Sequence, residues 1–181
     1  MKGIVFTEFS EMVEEQFGED MMDTIIEQSQ LPSGGIYTSV GTYDYKEILQ
    51  LVTMLSSLTN IDPPKLVFAF GEHLYKYFSA HYPAFFEMAP NAFDFLLSVE
   101  SYIHVEVKKL YPDAELPHFD SRKLHPDQFE MIYRSTRPFA DVAEGLITAC
   151  CQHYDESITI QRTDIHDEKG TGVRFLLTKQ S

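Results

Sequence analysis

The sequence predicts one α+β domain, in which a helical first part packs on a second part that carries a long helix and an antiparallel sheet. Apolar residues recur at helical spacing as far as Tyr111, and beyond Pro112 they alternate with polar ones every second residue. The turn-forming run Lys169-Gly170-Thr171-Gly172 joins the last two alternating segments, as in a hairpin.

The elements follow in order. Val5, Phe9, Met12, Val13 and Phe17 give an amphipathic helix from Gly3 to Phe17, stopped by Gly18. Met21, Met22, Ile25 and Ile26 mark a short second helix before the turn-rich Leu31-Pro32-Ser33-Gly34-Gly35. Ile48, Leu49, Val52, Leu55 and Leu58 form a third apolar face. Leu66, Val67, Phe70, Leu74, Tyr77 and Phe78 form a fourth, behind Pro63-Pro64. A long helix is expected from Ala92 to Tyr111, with Phe93, Leu96, Leu97, Val107 and Tyr111 on one side and Pro112 ending it. Two turns beyond Leu97, His104 falls beside it on that face. Phe129, Met131 and Tyr133 read as a strand, as do Ile158 with Ile160 and Val173, Phe175 with Leu177; Pro138 to Cys150 reads as an intervening helix. The expected division is a helical subdomain over about 1–62 and an α+β subdomain over about 63–181.

Composition narrows the function. With 14 basic and 28 acidic residues the formal charge is −14, so phosphate backbones and anionic membrane surfaces are repelled. Nucleic acid and membrane are therefore excluded as expected partners. No apolar run is long enough to span a bilayer, and the start Met1-Lys2-Gly3-Ile4-Val5-Phe6 meets Glu8 and Glu11 too early for a signal peptide. The two cysteines, Cys150 and Cys151, are adjacent and cannot staple distant segments, which fits a reducing compartment; a cytoplasmic location is expected.

Two groups of residues have chemical potential. Tyr133, Ser135 and Arg137 are spaced by two, so an extended backbone sets two hydroxyls and a guanidinium on one face, suited to a ligand with carboxylates. Such a row is also an ordinary strand end leading into a helix cap. His104, at the border of an apolar stripe, is a candidate metal ligand, although a lone histidine there is more often a hydrogen-bonded core or boundary residue.

Read together, His104 within Ser101-Tyr102-Ile103-His104-Val105, the run Tyr133-Arg134-Ser135-Thr136-Arg137, the opening Met1-Lys2-Gly3 and Pro117 give the chain a clear likeness. It resembles the haem nitric oxide/oxygen-binding (H-NOX) domain over essentially its full length. The family includes stand-alone bacterial sensors and the haem domain of soluble guanylate cyclase. The resemblance implies haem b (iron protoporphyrin IX) held between the two parts, with His104 as the proximal iron ligand and Tyr133, Ser135 and Arg137 on the haem propionates. It gives Pro117 the role of pressing on the macrocycle, although a proline before a strand also has a plain structural explanation.

On the ligand side, the resemblance puts Phe9, Leu74 and Val142 in the distal wall. Val142 occupies the place where oxygen-holding relatives carry a tyrosine. The missing donor implies a sensor for nitric oxide and carbon monoxide with little stable oxygen binding, unless Tyr75, Tyr77 or Tyr82 turns inward. In the family, nitric oxide weakens the bond to the proximal histidine and so frees its helix. The implied partner is a sensor histidine kinase or a diguanylate cyclase or phosphodiesterase, because the sequence holds no output segment of its own.

The rival reading is a small cytoplasmic enzyme using His104, Tyr133 and Arg137 for acid–base chemistry. No phosphate loop, Gly-x-Ser-x-Gly or His-Glu-x-x-His motif supports it, and the expectation is a non-enzyme. Cys150 and His153 share a helix face and could begin a zinc site with His166, but a fourth ligand is lacking; Cys150 is expected in the core. His73 has no partner at ligand spacing along the chain, and a surface or boundary position is expected for it.

Overall fold

The computed structural model describes residues 1–180. Helices α1 (Gly3–Phe17), α2 (Glu19–Gln28), α3 (Tyr45–Thr59) and α4 (Pro63–His81) come first. The chain continues through a short α5 (Pro83–Glu87), α6 (Ala92–Ser98), a π turn (Val99–Ile103) and α7 (His104–Leu110). Strands β1 (His118–His125) and β2 (Gln128–Arg134), helix α8 (Ala140–His153), and strands β3 (Ile158–Asp167) and β4 (Gly170–Lys179) complete it. The expected α+β architecture is present. None of the described helices is long and apolar enough to cross a membrane.

Local chemistry explains the helix starts. Asp44 caps α3 by accepting from the Lys46 N–H, and Asn91 caps α6 by accepting from the Asp94 N–H at 3.0 Å. Pro63 and Pro64 occupy the first turn of α4, where a missing N–H costs nothing. At α1, Gly3 is forced by close packing: a Cβ there would lie 1.8 Å from the Thr38 carbonyl oxygen.

The four strands are antiparallel in the order β1-β2-β4-β3. Phe129, Met131 and Tyr133 on β2 stand opposite Leu177, Phe175 and Val173 on β4, and all six are buried. This face packs on α8 through Ala143, Ile147, Cys150 and Cys151. The three strands marked by alternation are all present. β1, which follows Pro117, is an edge strand like β3, but its only apolar residues, Phe119 and Leu124, are out of phase with each other, so alternation could not reveal it.

The apolar residues gather into two clusters. One joins α1, α2, α3 and the first half of α4; the other joins the sheet, α6 and α8. Helix α4 contributes to both, with Leu66, Val67, Phe70 and Leu74 in the first and Tyr75 in the second. It crosses α8 at Gly71 and Gly145. A Cβ on either glycine would meet backbone, at 2.3 Å from the Val142 oxygen or 2.1 Å from the Phe68 oxygen.

The expected helix from Ala92 to Tyr111 is interrupted by the π turn at Val99–Ile103. A π turn inserts an extra residue and rotates everything beyond it relative to what precedes it. Leu97 is therefore 40% exposed while His104 faces inward, and the two do not share the face that two regular turns would give them. The expected helix from Pro138 begins instead at Ala140 and runs to His153.

Candidate functional site

Between the two clusters lies a cavity of about 900 Å³, bounded by α1, α4, the π turn with α7, the Ala114–Phe119 segment, the end of β2 and α8. That is the upper end of the roughly 300–1,000 Å³ usual for small-molecule and cofactor sites. His104, Pro117, Tyr133, Ser135, Arg137, Leu74 and Val142 all line it. Phe9 does not. It is fully buried one layer back, edge-on to Phe70 at 5.3 Å between ring centroids, and Phe70 is the ring on the wall.

The His104 ring is oriented by a carboxylate. Its Nδ1 lies 3.2 Å from Glu100 on the π turn, so the proton belongs on Nδ1 and Nε2 keeps its lone pair. Burial lowers the imidazole pKa, and the opposing pull of Glu100 does not reverse this, so the ring is neutral at pH 7. Glu100 is held in turn by the Phe119 N–H at 3.0 Å and by His118 Nδ1 at 2.9 Å. Burial alone would raise its pKa, but these hydrogen bonds and the neighbouring imidazoles hold it low. Sequence reasoning missed Glu100. The available signal was its position one turn before the histidine.

The row at the end of β2 differs from the extended arrangement expected, because the strand stops at Arg134 and the chain bends from Thr136 to Pro138. The bend is stabilised locally: Tyr133 Oη donates to the Arg137 carbonyl at 3.2 Å, and the Arg137 N–H donates to Ser135 Oγ at 3.0 Å. All three side chains still reach one cavity. The Arg137 guanidinium lies over the Tyr45 ring at 5.5 Å and is paired with the carboxylate of Glu115, a solvent-exposed residue that sequence reasoning also missed.

The wall opposite carries Leu74, Val142, Phe70 and Leu146 and is chiefly apolar. Tyr82 reaches the cavity, whereas Tyr77 stacks on His81 at 4.0 Å. Tyr75 also lines it, with its hydroxyl buried beside Cys150 and lacking a hydrogen-bond partner. Cys150 and Cys151 are buried free thiols; burial raises the pKa of both, that of Cys151 to about 12. Such thiols are unreactive core residues. Cys150, His153 and His166 form no metal grouping among the described residues. His73 takes the expected boundary position, and the fold sets it against carboxylates of α1, which spacing along the chain does not show.

A neutral imidazole aimed across a large apolar slot, with a guanidinium at the rim that already holds a carboxylate, defines a binding site for a metal-centred cofactor with acidic tails. Comparison with known proteins agrees. The haem-NO-binding family matches residues 2–162. The unliganded Fe(II) H-NOX protein from K. algicida is 40% identical, with a TM-score of 0.92 over 100% of this chain and 97% of that one. The Fe(II)CO H-NOX from Shewanella woodyi is 42% identical, with a TM-score of 0.84 over 99% and 95%. The Fe(II)NO H-NOX from S. oneidensis is 25% identical, with a TM-score of 0.90 over 100% of both chains. Among curated proteins none matches significantly. The chain belongs to the H-NOX family of haem-binding sensor domains. Its residues fit that cofactor, because the ring nitrogen opposite Glu100 is a ready ligand and the Arg137 fork donates to a carboxylate.

Proposed function

We propose that this protein is a gas sensor that holds haem b through His104 and responds to nitric oxide and carbon monoxide. The observation that carries the reading is the neutral His104 imidazole, pinned at Nδ1 by Glu100, within the same cavity as Tyr133, Ser135 and Arg137. When bound, haem supplies a ferrous iron with a free position for a diatomic gas.

Each residue then has a physical task. Glu100 keeps the proton on Nδ1 and presents Nε2 to the metal. Ser135 would donate its free hydroxyl proton to the propionates, Tyr133 would do so on giving up the Arg137 carbonyl, and Arg137 would pair with them in place of Glu115. Pro117 lies on the wall and would pack against the cofactor there. Leu74 and Val142, with Phe9 supporting Phe70 from behind, exclude water and offer no proton to a bound gas, and the two tyrosines that line the cavity keep their hydroxyls beside Cys150 (Tyr75) and Tyr111 (Tyr82). Dioxygen needs such a proton, and one hydrogen bond of about 1–2 kcal/mol changes affinity roughly five- to thirtyfold.

The output is a separate signalling enzyme, a histidine kinase or a cyclic-di-GMP cyclase or phosphodiesterase. Support comes from the segment that carries His104: Tyr102 (36%) and Val105 (47%) flank the histidine, are exposed and do not line the cavity, so a shift of the ligand would move an apolar surface. The two unbridged cysteines suit the cytoplasm.

Absorbance spectra of the purified ferrous protein under argon, air, carbon monoxide and nitric oxide test the ligand assignment. Distinct nitric oxide and carbon monoxide spectra are expected, and the spectrum in air should show no lasting oxygen complex. A long-lived oxygen spectrum that disappears in Tyr75→Phe would overturn the apolar-wall reading and identify the donor.

A further inference from the structure

We infer that Glu8, Glu11 and His73 form a second metal site, separate from the cavity, that binds one divalent ion of the zinc class and links α1 to α4. The three ligand atoms lie within 4.8 Å of one another, and no other grouping of three such side chains occurs among the described residues. None of the three lines the cavity.

Two independent features point to a ligand. Glu8 Oε2 and His73 Nε2 are buried, with side chains only 5% and 9% exposed, and neither atom has a hydrogen-bond partner. They stand 3.3 Å apart, yet the contact is not aligned as a hydrogen bond. Two ligands at about 2.0–2.1 Å from one tetrahedral ion are separated by about 3.3 Å, so the spacing is that of atoms converging on a shared third partner. Burying a carboxylate and an imidazole without partners is unfavourable, and a cation removes both deficits at once.

The outer surroundings suit an ion as well. His73 Nδ1 faces Glu15 at 3.8 Å, on the side where a ligating imidazole commonly meets a carboxylate. Glu11 is exposed and free to swing inward, and water completes the coordination. One imidazole with two carboxylates selects Zn²⁺ or its borderline neighbours over Ca²⁺, which takes six to eight oxygens. Glu8 precedes Phe9 and His73 precedes Leu74, so the ion would tie together the two helices behind the apolar wall.

Calorimetric titration of Zn²⁺ into chelator-treated, cofactor-loaded protein decides the matter. One saturable site is expected, with a rise in Tm on adding Zn²⁺. Binding should weaken by at least about tenfold in both Glu11→Gln and His73→Gln. Glu11 is exposed, so Glu11→Gln tests the site without disturbing the fold. Absence of saturable binding, or equal affinity in Glu11→Gln and the parent, overturns the site. Neither readout depends on how the cavity binds gas.

Discussion

Glu100 decides which nitrogen of His104 meets the cavity, and Glu115 decides whether Arg137 is free to meet a ligand. The first is a fixed partner, tied by the Phe119 N–H and by His118. The second is a loose one, since its side chain is 76% exposed while the guanidinium is nearly buried. An exposed carboxylate on a buried arginine competes weakly with a ligand carboxylate, by roughly 0.2–1 kcal/mol. Glu115→Gln should therefore slow haem loss to a scavenger protein, by up to about fivefold. An unchanged or faster loss would show that Arg137 does not hold the propionates. Both carboxylates escaped sequence reasoning for the same reason: their partners are set by a π turn and by a bend after β2, and neither leaves a periodic signal.

At the scale of elements, the sheet is held across β1, β2 and β4 by a buried charge. Glu130 on β2 accepts from Arg122 on β1 at 2.8 Å and pairs with Arg174 on β4. Burial alone would raise its pKa, but the hydrogen bonds from Arg174 and Arg122 and their charges outweigh this and hold it low. The unfolded chain, with an ordinary carboxyl near 4.3, then takes up the proton more readily than the folded one. Glu130 thus stabilises the fold fully above about pH 5, and the contribution is lost as the pH falls through the folded value. In urea unfolding, Glu130→Gln should cost about 1–3 kcal/mol at pH 7, with the difference from the parent shrinking in acid. A pH-independent difference would contradict this.

The elements themselves were legible where burial is periodic. α1 and α3, and the strands around Met131, Ile160 and Phe175, each carry one apolar face against one core, and α4 carries apolar residues toward both; their residue types say so. β1 was obscured because its only apolar residues, Phe119 and Leu124, are out of phase and leave no alternation. The π turn was obscured because it is a change of backbone pairing, which no side-chain pattern records. Of the site, the residue types were legible in His104, Tyr133, Ser135 and Arg137, while Phe9 shows the limit of carrying a wall position across by likeness: it supports the wall from behind Phe70.

At the scale of the molecule, a large cavity separates two apolar cores, and α4 belongs to both. The close crossing of α4 and α8 at Gly71 and Gly145 transmits any shift of one helix directly to the backbone of the other. The π turn and α7 form the opposite wall and present His104 inward and apolar residues outward. On the proposed reading, a tether at His104 would be the point where an event in the cavity reaches the surface. The most direct measurement replaces His104 with glycine and records haem content and the ferrous absorbance spectrum, with and without added imidazole. Loss of the five-coordinate spectrum or of the cofactor, restored by imidazole, is the expected result. An undiminished haem content with an unchanged ferrous spectrum in the absence of imidazole would contradict the assignment of His104.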